Sequence, residues 1–133
     1  YGLGTDNQNL PAFVVLPGSV LSGAAFAAET VPYSQPAFDA AQAAGRSILV
    51  EVHAPWCPTC KAQAPILSSI RKNAAYDELV VFRIDFDSQK DALQRFGARM
   101  QSTLITFKGG KETGRSVGDT NPDSIAALLA KAI

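Results

Sequence analysis

Two cysteines, Cys57 and Cys60, are the residues whose type and spacing most clearly indicate chemistry. They are the only cysteines of the chain, with two residues between them, and they closely follow the apolar run of residues 48–52. A pair placed between a strand and the first turn of a helix can cycle between dithiol and disulfide. The loop that the pair closes is too short for a disulfide to stabilise the fold much. The pattern therefore predicts a redox site.

The two thiols are expected to differ in reactivity. The spacing predicts Cys57 as the N-cap of the helix and Pro58 as its first residue, where a missing N–H costs nothing. Unpaired backbone N–H groups and the positive end of the helix dipole favour a thiolate at Cys57. We expect Cys57 to be the exposed, attacking thiol and Cys60, one turn on, to face inward and resolve the mixed disulfide. Trp56 is expected to shield the pair and to offer a flat surface to a substrate.

Glu51 places a carboxylate in the run of residues 48–52, which otherwise reads as a strand buried on both faces. Such a group is costly unless it has a partner or a function. Burial disfavours its charged form, which suits it to proton transfer. The alternative is that Glu51 tips toward solvent at the strand end.

His53, the only histidine, stands four residues before Cys57. It is either a polar residue near the strand end or, if protonated, a group that stabilises the thiolate. With Cys57 and Cys60 it would supply three zinc ligands. A closed zinc site would need a carboxylate or a second chain as well, because there is no second cysteine pair. We predict no metal site.

The remaining pattern predicts the order β-α-β-α-β-β-α, with room for an extra strand in front. The elements are a helix from the cap Ser34 to Gly45, strand 48–52, a helix after the cysteines interrupted by Pro65, strand 79–84, a helix from a capping box at Ser88 and Asp91 to Gly97, a hairpin of 103–107 and 112–117 around Gly109-Gly110, and a last helix opened by Asn121-Pro122. This order implies a mixed sheet covered by helices on both faces.

Length and charge exclude several classes of protein. The 133 residues suffice for one compact domain. The 12 basic and 12 acidic side chains balance, and there is no basic stripe of the kind that nucleic-acid binding needs. No apolar run is long enough to span a bilayer. We predict no nucleic-acid partner and no membrane span.

Residues 1–30 differ in character from the rest and are assigned as an N-terminal extension. Ala25-Phe26-Ala27 has the small-x-small form of a signal-peptidase site, although no Lys or Arg precedes the apolar part. The extension is therefore a signal-like remnant, an added strand that packs on the domain, or the remnant of a fusion. The first interpretation predicts a periplasmic or otherwise extracytoplasmic location; the alternative is the cytoplasm.

Residues 31–133 resemble the thioredoxin family. The motifs that carry the resemblance are Trp-Cys-x-x-Cys-Lys at 56–61, Ala64-Pro65-Ile66-Leu67, Ile84-Asp85, Thr103-Leu104, Phe107-Lys108, Gly110 and Val117-Gly118. The resemblance implies an α/β thioredoxin fold, with a central mixed β-sheet flanked by helices on both faces. It also implies a thiol-disulfide oxidoreductase with no cofactor besides the redox-active Cys57–Cys60 disulfide. The Pro58-Thr59 dipeptide resembles that of exported thioredoxin-like proteins that keep the thiols of cytochrome c maturation reduced.

The resemblance also assigns residue roles. Glu51 occupies the position of the family's buried aspartate, which relays a proton to and from the inner cysteine, here Cys60. The family often places a lysine beside this acid, and Val81 stands there in this chain, so the Glu51 anion is expected to be less stabilised. The residues implied in substrate binding are Trp56, Pro58, Thr59, Gln101, Ser102 and Thr103.

Ser102 departs from the family pattern. The family's loop facing the cysteines carries a cis-proline before the threonine of the next strand, but here Ser102 precedes Thr103. A cis bond before serine costs about 3 kcal/mol. Either the bond is trans and the loop is rearranged, or the surroundings hold a strained cis peptide. A hydroxyl near the sulfurs would tune the thiolate by hydrogen bonding.

These features predict a reductase of protein disulfides. Cys57 would attack, Cys60 would resolve the mixed disulfide, and Glu51 would accept the Cys60 proton. The expected partners are protein disulfide or dithiol substrates and an upstream thiol reductant. The alternatives are a disulfide oxidase or isomerase, a thioredoxin-fold binding module with little redox turnover, and a metal-carrying protein.

Overall fold

The computed structural model describes residues 29–133. The predicted signal-like segment lies outside the described residues and stays a prediction, which mass spectrometry of the mature N terminus would test. None of the helices between residues 29 and 133 has the length and hydrophobicity that a membrane span requires.

Five strands form one mixed sheet in the order β1-β3-β2-β4-β5. Their bounds are Thr30–Pro32 for β1, Ser47–His53 for β2, Val80–Asp85 for β3, Thr103–Lys108 for β4 and Lys111–Val117 for β5. Strands β1, β3 and β2 are parallel, β4 is antiparallel to β2, and β5 is antiparallel to β4. Strand β1 is the extra strand in front for which the sequence left room. The mixed sheet is confirmed.

Helices cover both faces of the sheet, as predicted. Their bounds are Gln35–Ala43 for α1, Pro58–Ile70 for α2, Lys90–Phe96 for α3 and Pro122–Ala130 for α4, and a 3-10 turn spans Ala74–Tyr76. Two predicted caps are confirmed. Ser34 Oγ accepts the Ala37 N–H at 3.3 Å, and Asn121 Oδ1 accepts the Asp123 N–H at 2.9 Å.

The predicted capping box of α3 is wrong. The helix begins at Lys90, and its N-cap Gln89 makes no side-chain capping bond. Ser88 instead donates its hydroxyl to the Asp85 carboxylate. Ser88 lies one residue before the N-cap, with its hydroxyl turned to the end of β3.

Strand β2 separates two apolar clusters. Ile48, Val50 and Val52 belong to the cluster beneath α1 and α3. Five aromatic rings meet in this cluster, and two of them, those of Phe38 and Phe96, pack edge to face with their centroids 5.1 Å apart. Leu49 belongs to the cluster beneath α2 and α4. Because alternate residues of a strand share a face, Glu51 lies on the Leu49 side. The strand thus carries Glu51 beneath α2 and delivers the chain to the cysteines at its end.

Candidate active site

The cysteine pair begins α2, as predicted. Cys57 is the N-cap, with extended backbone angles of φ −86° and ψ 114°, and Pro58 is the first helical residue. Cys57 Sγ accepts the Cys60 N–H at 3.1 Å. A sulfur takes the place that a serine or aspartate oxygen often has, so an otherwise unpaired N–H of the first turn points at it.

Both thiols are buried. Cys57 is 0% exposed and Cys60 is 3% exposed, so the expectation of an exposed Cys57 is wrong. They form a small cluster with Ala54, and Phe86 packs against it. The loop before β4 brings Ser102 against the sulfurs. This tertiary contact is one that helix position alone does not reveal.

The hydroxyl of Ser102 lies between the two sulfurs. Its Oγ is 3.2 Å from Cys57 Sγ and 3.1 Å from Cys60 Sγ. A hydroxyl donates one hydrogen bond and accepts others. It is therefore able to donate to a thiolate at Cys57 while it accepts from the S–H of Cys60. The expected hydrogen bonding between this hydroxyl and the thiols is present.

The Ser102 loop has the rearranged, trans form of the two alternatives. There is no cis peptide bond within residues 29–133, and Ser102 has φ of 65°, in the left-handed region. That conformation costs a non-glycine residue about 1–2 kcal/mol. Such a residue persists only where the surrounding structure holds it.

Three hydrogen bonds to the backbone atoms of Ser102 hold this residue in place. Its N–H donates to the Val52 carbonyl at 2.8 Å, at the end of β2. Its own carbonyl accepts from Gly118 N at 3.0 Å and from Gln63 Nε2 at 3.3 Å. Every polar atom of Ser102 is thus engaged. No pattern in the sequence singles out Gln63, because its partners are carbonyls of distant segments.

The environment separates the two thiols. Burial raises the pKa of Cys57, but hydrogen bonds from Cys60, Ser102 and the backbone of Cys60 and Thr59 outweigh it, and the net pKa is lowered. Burial also raises the pKa of Cys60, the Cys57 side chain raises it further, and Ser102 only partly offsets this rise. Cys57 therefore ionises first, and Cys60 holds the remaining proton.

Glu51 is buried, 4% exposed, and it has a cationic partner. Arg83 Nε and Nη2 both donate to Glu51 Oε1 at 3.3 Å. Arg71 lies within electrostatic reach: its pKa is lowered by burial, raised by Glu51 and lowered by Arg83. The expectation of a poorly stabilised anion beside Val81 is therefore wrong. Arg83 lies two residues after Val81 on β3, so both side chains are on the same face of the sheet. In the parallel register of β2 and β3, Arg83 pairs with Glu51.

The residues implied in substrate binding divide into two groups. Trp56 is 54% exposed and Pro58 is also exposed, while Thr59 and Gln101 are partly exposed. The Trp56 indole donates to Asp87 Oδ2 at 2.9 Å, which fixes the ring at the surface. The other two, Ser102 and Thr103, are each 1% exposed. The exposed residues surround the cysteines, whereas the buried two lie beneath them.

His53 ends β2 and is partly exposed. With Arg83, Asp85 and Gln89 it lines a groove of about 360 Å³ beside β1. Over residues 29–133 no group of three or more His, Cys, Asp and Glu side chains is arranged to hold a metal ion.

Comparison with known proteins identifies relatives for most of the chain. The thioredoxin family model matches residues 29–131. Thioredoxin of Chlamydia muridarum is 36% identical over 84 residues, which are 63% of this chain and 80% of that protein. Thioredoxin-2 of Saccharomyces cerevisiae is 34% identical over 94 residues, which are 70% of this chain and 88% of that protein.

A solved structure shares both fold and sequence. Trxlp from Edwardsiella tarda superimposes with a TM-score of 0.72 at 44% sequence identity, over 76% of this chain and 97% of that one. The agreement extends to nearly the whole of that protein, so the described part of this chain has the same architecture.

Replacing Ser102 by alanine is predicted to raise the pKa of Cys57, because the thiolate loses a hydrogen-bond donor. The rate at which Cys57 reacts with a small alkylating reagent rises with pH and levels off above its pKa. The midpoint of that profile is expected to move upward. Below both midpoints the variant is expected to react about tenfold more slowly, as befits the loss of a hydrogen bond to a charged group.

Ser102→Gly is the matched control, because it removes the same hydroxyl and relieves the left-handed backbone. Its pH midpoint is expected to match that of Ser102→Ala, while its free energy of unfolding exceeds that of the alanine variant. Equal midpoints in the wild type and both variants would contradict the assigned role of the hydroxyl.

Proposed function

The chain belongs to the thioredoxin family and is a thiol-disulfide oxidoreductase, and we propose that it reduces disulfide bonds in protein substrates. The observation that carries the proposal is the asymmetry of the buried pair. Cys57 accepts hydrogen bonds at the start of α2 and has a lowered pKa, whereas the pKa of Cys60 is raised, so Cys57 forms the attacking thiolate first while Cys60 keeps its proton for the second step.

The proposed cycle balances as a two-electron transfer. The Cys57 thiolate attacks a substrate disulfide, forms a mixed disulfide with one substrate sulfur and releases the other as a thiolate, which takes up a proton. Cys60 then loses its proton and attacks Cys57 Sγ. The products are the Cys57–Cys60 disulfide and the second substrate thiol. An upstream thiol reductant restores the dithiol, and no organic cofactor takes part.

Substrate access needs a local opening, because Cys57 is 0% exposed. The surface beside it offers Trp56, Pro58, Thr59 and Gln101, and we infer that a substrate segment binds across these residues. Ser102 and Thr103 lie buried directly below these residues. They would contact the substrate only after it has displaced part of the exposed layer. Exposed Met100, next to Gln101, adds apolar area to the same surface.

Glu51 is proposed to accept the Cys60 proton. It lies on the α2 face of β2, and the carbonyl of its neighbour Val52 lies 3.8 Å from Cys60 Sγ. The ion pair with Arg83 gives this buried carboxylate a cationic partner. The resolving step would then deliver the proton to a carboxylate already inside the fold.

A disulfide oxidase or isomerase is the second candidate. The observation that favours it is the pair of Ser102 contacts, because hydrogen bonds to a thiolate stabilise the reduced form and make a disulfide more oxidising. Burial of Cys57 would equally suit a binding module with little turnover. Both alternatives predict slow reduction of a protein disulfide.

Cys60→Ser is predicted to trap a covalent mixed disulfide with a reducible protein substrate such as insulin, because Cys57 still attacks but nothing resolves the product. The measurement is non-reducing electrophoresis with mass spectrometry, beside turnover of the wild type with a dithiol reductant. Cys57→Ser is the control and should trap nothing. If Cys60→Ser traps nothing and the wild type fails to turn over, the binding module replaces the reductase.

Glu51→Gln is predicted to slow resolution of the mixed disulfide by about 100-fold, the lower end of what a general base contributes. Attack by Cys57 should be unchanged, so stopped-flow single-turnover data would show the mixed disulfide accumulating. Asp39→Asn is the control, since it removes a carboxylate from the surface ion pair with Arg95. An unchanged resolution rate in Glu51→Gln would refute the proposed role.

A further inference from the structure

Gln63 is a polar side chain that is fully buried, 0% exposed, three residues after Cys60 on α2. Its Nε2 donates to the carbonyl of Asp119 at 2.8 Å and to the carbonyl of Ser102 at 3.3 Å. Because both partners are acceptors only, the amide nitrogen must face them, and the orientation of the amide follows. Gln63 therefore joins α2 to the Ser102 loop and to the segment after β5.

The other half of this amide is a cost to the fold. Gln63 Oε1 is buried and has no hydrogen-bond partner. A buried acceptor left unsatisfied costs about 1–3 kcal/mol, and an apolar side chain of similar shape would avoid that cost. The benefit of a glutamine here must therefore lie in what its two donated bonds hold.

What they hold is the backbone of Ser102. The φ of 65° is unfavourable for serine, and the residue is fixed at its N–H by Val52 and at its carbonyl by Gly118 and Gln63. Of these three, only the Gln63 contact comes from the helix that also carries both cysteines. It is thus the contact that sets the Ser102 loop relative to the sulfurs.

We propose that Gln63 is a positioning residue that holds Ser102 with its hydroxyl between the two sulfurs of the cysteine pair. Without the Gln63 bond, the Ser102 carbonyl keeps only the bond from Gly118, the Ser102 loop loses this tie to α2, and the hydroxyl shifts relative to the sulfurs. The inference deepens the proposed function, since it concerns the same thiols. Its test reads thiol ionisation, which is measurable whether or not the protein reduces any substrate.

The test is a double-mutant cycle on the ultraviolet absorbance titration of the Cys57 thiolate, with Gln63→Met and Ser102→Ala. Methionine keeps the length of glutamine, cannot donate, and removes the unpaired Oε1. Gln63→Met should move the titration midpoint to higher pH, in the same direction as Ser102→Ala and by no more. In the Ser102→Ala background it should produce no further shift, because Gln63 acts through the missing hydroxyl.

Two controls separate positioning from packing. Leu67→Met, on the same buried face of α2, changes packing without touching a hydrogen bond and should leave the midpoint unchanged. Gln63→Leu is a second apolar replacement, and the free energy of unfolding of each variant shows whether the fold is intact. The two Gln63 variants should shift the midpoint alike although their packing differs.

Three outcomes would overturn the proposal. The first is a midpoint that does not move in Gln63→Met or Gln63→Leu. The second is an equal shift with and without the Ser102 hydroxyl, which would mean that Gln63 acts by another route. The third is a shift in Leu67→Met as large as that in Gln63→Met, which would indicate general loosening. None of these depends on mixed-disulfide trapping, so failure of the reductase proposal would be seen separately.

Discussion

One hydroxyl, that of Ser102, stands within 3.2 Å of both sulfurs of a buried cysteine pair, and the surrounding structure is arranged to keep it there. The backbone of Ser102 has a left-handed conformation, which serine adopts only where the surrounding structure holds it. The constraint comes from three directions: the end of β2 through Val52, the segment after β5 through Gly118, and α2 through Gln63. Ser102 thus has hydrogen bonds both to the sheet and to the helix that carries the thiols.

Hydrogen bonds and burial give the dithiol its asymmetry. The helix N terminus and Ser102 supply hydrogen bonds to Cys57, while burial keeps the proton on Cys60. The charges lie one layer away, in the Glu51–Arg83 ion pair with Arg71 beside it. The ion pair gives the buried Glu51 carboxylate the cationic partner that its burial requires.

Local sequence patterns predicted the fold, but they predicted the site only in part. Cys57 as N-cap, the proline at N1 and the Asn121 cap depend on neighbouring residues, and the sequence predicted each. The capping box at Ser88 failed because the helix begins at Lys90, with Gln89 rather than Ser88 at the N-cap position. Three features of the site involve segments that are distant in the chain. They are the burial of Cys57, the contact of Arg83 with Glu51, and the hydrogen bonds of Gln63. The register between β2 and β3 places Arg83 beside Glu51, and this register cannot be read from the spacing of residues in the sequence.

The reduction potential of the Cys57–Cys60 pair, measured by equilibration in glutathione buffers, distinguishes a reducing dithiol from an oxidising or inert one. We expect a pair that exchanges freely, at a potential between about −270 and −200 mV, the range of reducing members of this fold class. The upper part of that range would reflect the Ser102 bonds to the dithiol. A potential near about −120 mV, or a pair that does not exchange with glutathione at all, would contradict this expectation.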